Sequence, residues 1–121
     1  MKVRIPDSLR LPTQAKAEDE LLKLLASRSR PLSTNEAYRT LADSCGLTPA
    51  QRAARPEGGR AEPAWNYRVR WAMDRIRRKG WARSTEHGMW TATATGRKLQ
   101  RAREQSGPKV VGIIEDNIFG E

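Results

Sequence analysis

The hydrophobic period of the chain changes at Gly80, and this change constrains the fold more than any other feature. From Ala64 to Lys79 the apolar residues recur about every 3.6 positions, as on one face of a helix; they are Trp65, Val69, Ala72, Met73 and Ile76. Gly80 is suited to end that helix. Two short runs follow, 81–84 and 89–93, in which the pattern has a period of two. The segment between them contains Gly88, so the sequence predicts a β-hairpin after the helix.

Two further helices are predicted upstream. The first covers Ala15 to Ser27 and has an apolar stripe made of Leu21, Leu22, Leu24 and Leu25. The second begins at Ser33 or Thr34, because Ser33 and Glu36 have the spacing of a capping box. It ends near Gly46, a residue that favours the left-handed conformation of a helix end.

The remaining segments are less regular. Thr48-Pro49 favours a short helical turn, and the Gly- and Pro-rich stretch up to Pro63 predicts a long loop. A last helix is predicted over about 95–105. The run VVGII in the segment 107–121 leaves three interpretations open: a strand, a docking segment or a linker.

The order of these elements predicts a mainly α fold with a small β-hairpin, a winged helix-turn-helix. We expect an N-terminal arm at 1–14, the winged-helix domain at 15–106 and a tail of unknown role at 107–121. In such folds the basic third helix enters the major groove of DNA, and the hairpin contacts the backbone or the minor groove.

Charge indicates the same partner. Lys and Arg number 23 against 14 Asp and Glu, which gives a net charge of +9. A surplus of this size favours a polyanion, because neutralised phosphates release their counterions. Between Arg52 and Arg83 there are ten basic residues and three acidic ones. The sequence therefore predicts double-stranded DNA as the partner, with an ordinary solvated, arginine-rich surface as the alternative.

Composition argues against several other classes of protein. With one cysteine, Cys45, and one histidine, His87, the chain has no ligand set for structural zinc and cannot form an internal disulfide. We expect no cofactor, no metal and no catalytic activity, and a reducing, cytoplasmic location associated with the nucleoid. The sequence contains neither an apolar run long enough to span a bilayer nor a signal peptide, so we expect no membrane partner.

The candidate DNA-binding residues lie on the basic helix, the loop and the hairpin. Arg68, Arg70 and Arg75 are the main candidates for base or phosphate contact, since they avoid the apolar stripe. Trp71 is expected to be buried under the loop of residues 46–63, or else to be available to a base; a role as core residue is expected for Trp65, and a role in packing the hairpin for Trp81 and Trp90. The complete set of candidates is Arg52, Arg55, Arg60, Asn66, Tyr67, Arg68, Arg70, Trp71, Arg75, Arg78 and His87. Asn66 has an alternative role in capping, and His87 has one as a plain turn residue.

The run YRVRWAMDRIRRKGW, from Tyr67 to Trp81, and the later run WTATATGR resemble the N-terminal winged-helix domain of Mrr-type restriction enzymes. That family typically shows Asn-Arg-Val-x-Trp-Ala, a helix ending in Gly, a hairpin and a closing Thr-x-x-Gly. The resemblance covers about 16–101, and it departs from the pattern where Tyr67 separates Asn66 from Arg68. It implies DNA binding and a role in defence against foreign or modified DNA. The family's nuclease motif, an Asp followed by Glu-x-Lys, is not recognisable in this sequence.

Three functions remain open at this stage. The first is a reader of 5-methylcytosine, in which Tyr67 or Trp71 meets the methyl group beside an arginine on guanine. The second is a sequence-specific transcription regulator, which predicts a homodimer formed through the first helix or the tail. The third is a protein-interaction module whose basic face binds an acidic partner.

Overall fold

A computed structural model describes residues 9–56 and 62–119, with side chains described as far as residue 106. The elements along the chain are α1 (Gln14–Ala26), β1 (Leu32–Ser33), α2 (Thr34–Ser44), α3 (Pro49–Ala53), α4 (Ala64–Arg78), β2 (Ala82–Glu86), β3 (Met89–Ala92) and α5 (Ala94–Phe119). This order confirms the predicted fold class, a mainly helical winged helix.

The helix starts and ends follow the predicted local signals. Ser33 and Glu36 form the predicted capping box at the start of α2. A second capping box, between Thr48 and Gln51, starts the short α3. After α4 the chain turns at Gly80, whose φ of 83° is in the left-handed region that favours glycine.

The sheet has three antiparallel strands in the order β1-β3-β2. The hairpin of β2 and β3 confirms the sequence prediction, and Gly88 in its turn has a φ of 72°. Strand β1 was not predicted, because two residues are too few to show a period. Leu32 of β1 pairs with Trp90 of β3, and the backbone N–H of Thr34 donates to the carbonyl of Gly88 at 2.9 Å. These contacts attach the hairpin to the start of α2.

The core lies between α1, α2 and α4. All five residues of the predicted α4 stripe are buried, as are the four leucines of the α1 stripe. Trp65 is 2% exposed and confirms its predicted core role. Its indole N–H donates to the carbonyl of Tyr38 on α2 at 2.9 Å, so the first turn of α4 is anchored to the neighbouring helix.

The hairpin is packed on the helices by its two tryptophans, as predicted. Trp81 and Trp90 are half-buried against the core cluster, and the indole of Trp90 donates to the Thr34 hydroxyl at 3.3 Å. The closing Thr-x-x-Gly motif begins at Thr93, whose hydroxyl donates to the Gly80 carbonyl at 2.7 Å and accepts from the Gly96 N–H at 3.0 Å. The motif therefore ties the end of α4 to the start of α5.

The two ends of the chain differ from expectation. Helix α5 continues to Phe119, well beyond the predicted end near 105; Gly107 and Pro108 have low helix propensity and conceal this continuation in the sequence. At the other end, Leu11 packs against the core, so part of the arm belongs to the folded unit. The division into arm, domain and tail stays a prediction.

Candidate nucleic-acid interface

One side of α4 faces away from the core and forms what we call the α4 crest: Tyr67, Trp71, Asp74 and Arg78. These residues are three or four positions apart, so they follow one another along the same face of the helix. With Arg70 they line a shallow depression of about 320 Å³. The crest is therefore both accessible and chemically mixed, with two aromatic rings, a carboxylate and a guanidinium.

The prediction that Trp71 is buried was wrong. We expected it to be buried under the loop of residues 46–63, yet it is 58% exposed, and no other large hydrophobic side chain among the described residues is classed as exposed. The physical reason is its position on the helix: it lies opposite the stripe of Val69, Met73 and Ile76, which packs into the core. The alternative prediction, an aromatic ring available to a base, fits this exposure.

The flank of α4 that faces α1 carries Arg68 and Arg75. Arg68 is half-buried, and its Nη1 donates to the carbonyl of Pro12 in the arm at 2.7 Å. The Nε of Arg75 lies 3.0 Å from the Glu18 carboxylate of α1, and the Lys79 ammonium lies 3.2 Å from the same carboxylate. Both predicted DNA-binding arginines thus have protein partners, although the Arg75 side chain keeps 55% of its surface exposed.

Glu18 was missed as a functional residue by sequence analysis. Its side chain is only 9% exposed, and from α1 it pairs with Arg75 of α4 and with Lys79, the residue after α4. The available signal was its spacing: Glu18 precedes Leu21, Leu22 and Leu25 by three, four and seven residues, which places a carboxylate on the apolar stripe. An acidic residue in such a position requires a cationic partner from another element.

The other flank of α4 is organised around Glu62. The guanidinium of Arg70 donates to both Glu62 oxygens, at 2.9 and 2.8 Å, and its central carbon lies 4.7 Å from the centre of the Tyr67 ring. These hydrogen bonds from Arg70, with a further one from Asn66, keep the pKa of Glu62 below its usual range. Asn66 and Arg70, both predicted site residues, are thus brought together by an acidic residue at the end of the loop.

Asp74 organises the last turn of α4. Its Oδ1 accepts a hydrogen bond from Arg77 at 2.7 Å, and its Oδ2 forms an ion pair with the Nε of Arg78 at 2.9 Å. The hydrogen bond from Arg77 is the main cause that lowers the pKa of Asp74. Arg78, a predicted site residue, remains 70% exposed, so the pair leaves most of its guanidinium accessible.

The predicted loop arginines are only partly described. Arg52 pairs with Asp43 of α2 at 2.8 Å and also donates to the Leu47 carbonyl at 3.1 Å. Arg55 is exposed, and Arg60 lies outside the described residues. Arg52 therefore lies on α3 and against α2, whereas Arg55, after the end of α3, is at the surface.

His87 lies at the exposed turn between β2 and β3. The next residue, Gly88, is attached to the start of α2 through Thr34, so the turn is fixed in position. His87 therefore lies on a different element from the α4 crest, and a contact with DNA through this turn would be separate from those of the crest.

Other chemistry is weakly represented in the parts of the chain that the structure describes. They contain no group of three or more side chains suited to hold a metal ion, and none of their helices is long and apolar enough to cross a membrane. Burial raises the pKa of the Cys45 thiol, which disfavours the thiolate that a nucleophile requires.

Comparison with known proteins agrees with this architecture. Residues 16–102 match the Mrr N-terminal domain. Over 86 residues the chain is 30% identical to the type IV methyl-directed restriction enzyme EcoKMrr of Escherichia coli strain K12. That match covers 71% of this chain but 28% of the relative, and no solved structure matches the chain. The winged-helix order, the closing Thr-x-x-Gly and this match establish that the chain belongs to the Mrr N-terminal domain family.

Proposed function

We propose that this domain binds duplex DNA with α4 in the major groove and reads 5-methylcytosine, without itself catalysing a reaction. The observation that carries the proposal is the exposure of Trp71, 58%, in the middle of a helix with five arginines. Burial of an exposed indole against a methyl group is favourable, whereas its exposure to water serves no purpose in the fold. The similarity to an enzyme described as methyl-directed supports a role in restriction, and such a role implies a location at the nucleoid.

The arginines of α4 suit DNA binding although they are paired in the free protein. The pairs of Arg70 with Glu62 and of Arg78 with Asp74 leave both partners partly exposed, and ion pairs at exposed sites contribute little free energy. Exchange of the carboxylate for a phosphate or a guanine edge therefore costs little for Arg70 and Arg78, whereas release of Arg75 leaves the buried Glu18 carboxylate with Lys79 as its cation. We propose Arg68, Arg70 and Arg75 as contacts of the two flanks, Asn66 and Tyr67 as contacts near the start of α4, and His87 as a contact of the wing.

Comparison of methylated with plain DNA tests the proposal directly. We expect a preference of about fourfold for duplexes that contain 5-methylcytosine, because burial of one methyl group contributes about 0.8 kcal/mol. The measurement is a fluorescence-anisotropy titration of matched duplexes at one salt concentration. Equal affinity for the two duplexes would remove the modified base from the proposal and leave a plain DNA-binding domain.

Replacement of Arg52, Arg55 and Arg60 by Gln is expected to flatten the salt dependence of DNA binding without changing base preference. Arg52 lies on the short α3, and the Gly- and Pro-rich stretch after it is better suited to phosphates than to a fixed base-reading geometry. Each lost phosphate contact reduces the slope of log K against log salt by about 0.9, so the slope is expected to fall by up to about 3.

The matched control for this variant removes three exposed positive charges away from α4: Lys23 on α1 with Lys98 and Arg101 on α5. Their replacement by Gln is expected to change the slope much less. A slope equally reduced in both variants would contradict a defined loop contact, because it would show dependence on net charge alone.

A further inference from the structure

The α4 crest contains a residue that a DNA-binding surface ordinarily avoids. The sequence of α4 has five arginines and a single acidic residue, Asp74, and phosphates repel its carboxylate. We propose that Asp74 accepts a hydrogen bond from the exocyclic amino group of a cytosine and so distinguishes 5-methylcytosine from thymine. This inference rests on the proposed function, since it assumes that the α4 crest enters the major groove.

The geometry of Asp74 suits an acceptor. Its side chain keeps 29% of its surface exposed; its Oδ1 accepts a hydrogen bond from Arg77, and its Oδ2 forms an ion pair with Arg78. A carboxylate has about four lone-pair positions, so both oxygens can accept a further hydrogen bond. The two arginines also offset the negative charge, which lowers the repulsion between Asp74 and the DNA backbone.

The protonation state supports the same role. The hydrogen bond from Arg77 and the charges of the neighbouring arginines keep the pKa of Asp74 below its usual range. The group is therefore ionised at neutral pH and acts only as an acceptor. A base edge that presents an acceptor toward it is disfavoured.

The edges of the bases then decide which one fits. Guanine and thymine present acceptors in the major groove, whereas cytosine N4 and adenine N6 present donors. Beside its amino group, adenine has the N7 acceptor, but cytosine has the apolar C5 position. Trp71 lies three residues before Asp74 and lines the same depression, so the pair places an apolar surface beside an acceptor. This arrangement is complementary to cytosine.

Contact with the methyl group alone does not distinguish 5-methylcytosine from thymine, and Asp74 supplies that distinction. Thymine and 5-methylcytosine carry the same methyl group at C5, so Trp71 gains equally from either. They differ at position 4, where thymine has an acceptor and 5-methylcytosine a donor. A carboxylate beside position 4 is expected to raise the affinity for cytosine over thymine by about 10- to 100-fold, the range of one good base contact.

The test uses two pools of randomised duplexes, one made with cytosine and one with 5-methylcytosine, each bound to the protein and sequenced. For the parent protein we expect one position at which cytosine exceeds thymine by about 10- to 100-fold in both pools. Asp74→Asn has nearly the same shape but can donate to thymine O4, so cytosine enrichment at that position is expected to disappear while other positions persist. Circular dichroism and thermal melting check that the variant is folded.

Glu62→Gln is the matched control, because it also removes a carboxylate paired with an arginine of α4 but changes none of the four crest residues. It is expected to retain the cytosine preference. Retention of that preference by Asp74→Asn would overturn the inference, and so would a uniform loss of affinity for all sequences, which would make Asp74 only a positioning residue for Arg77 and Arg78.

The same experiment separates this inference from the proposed function. Equal recovery from both pools, with the cytosine position lost only in Asp74→Asn, supports the role of Asp74 and contradicts methyl reading. Failure of the parent protein to bind either pool overturns both.

Discussion

Trp65→Ala is expected to lower the free energy of unfolding by about 3–5 kcal/mol, the range for removal of a large buried aromatic side chain. Trp65 is 2% exposed in the core between α2 and α4. The substitution leaves a cavity. It also removes the indole N–H that donates to the Tyr38 carbonyl at 2.9 Å. Urea denaturation followed by circular dichroism measures the change.

Trp71→Ala is the matched variant, on the same helix six residues further on. Because Trp71 is 58% exposed, we expect the free energy of unfolding to change by no more than about 0.5 kcal/mol. The preference for methylated DNA is expected to disappear with the indole. A loss of unfolding free energy in Trp71→Ala as large as that in Trp65→Ala would show that Trp71 is a core residue, and the proposed function would lose its basis.

Gly96→Ala is expected to destabilise the fold by about 3 kcal/mol, the upper part of the usual range for an overpacked site. A Cβ at residue 96 would overlap the carbonyl oxygen of Trp81 and lie 2.9 Å from its carbonyl carbon. These are backbone atoms, which cannot rotate away as a side chain can. We expect the melting temperature to fall by about 10–20 °C, measured by differential scanning calorimetry.

The sign of the stability change in Gly96→Ala distinguishes the close contact from helix propensity. Alanine has a higher helix propensity than glycine by about 1 kcal/mol, so without the close contact Gly96→Ala would stabilise α5. Thr95→Ala, at the exposed neighbouring position, serves as the control and is expected to leave the melting temperature nearly unchanged. A more stable Gly96→Ala protein would show that α5 does not approach Trp81 as described.

Gly96 matters to the interface because it closes the fold around α4. The Trp81 carbonyl that it approaches also accepts from the Thr93 N–H at 2.9 Å. Thr93 in turn donates to the carbonyl of Gly80, two residues after the end of α4. The Thr-x-x-Gly motif therefore fixes the hairpin relative to the candidate DNA-binding helix.

Much of the fold could be predicted because it is encoded locally. The period of 3.6 in α4, the capping box at Ser33 and the change of period at Gly80 each depend on neighbouring residues, and the structure has each of them. Strand β1 could not be predicted in this way, since its two residues form a strand only by pairing with β3.

The candidate site divides along the same line. The sequence by itself determined that a basic helix carries Tyr67, Trp71 and the arginines on the side away from its apolar stripe, because helical spacing sets which residues share a face. Only the tertiary structure decided what each of them meets: Glu18 and Pro12 approach one flank of α4 from distant parts of the chain, and Trp71 remains 58% exposed. Contacts between elements depend on how the helices pack, and the residue pattern of one helix does not specify which residues of other elements will lie against it.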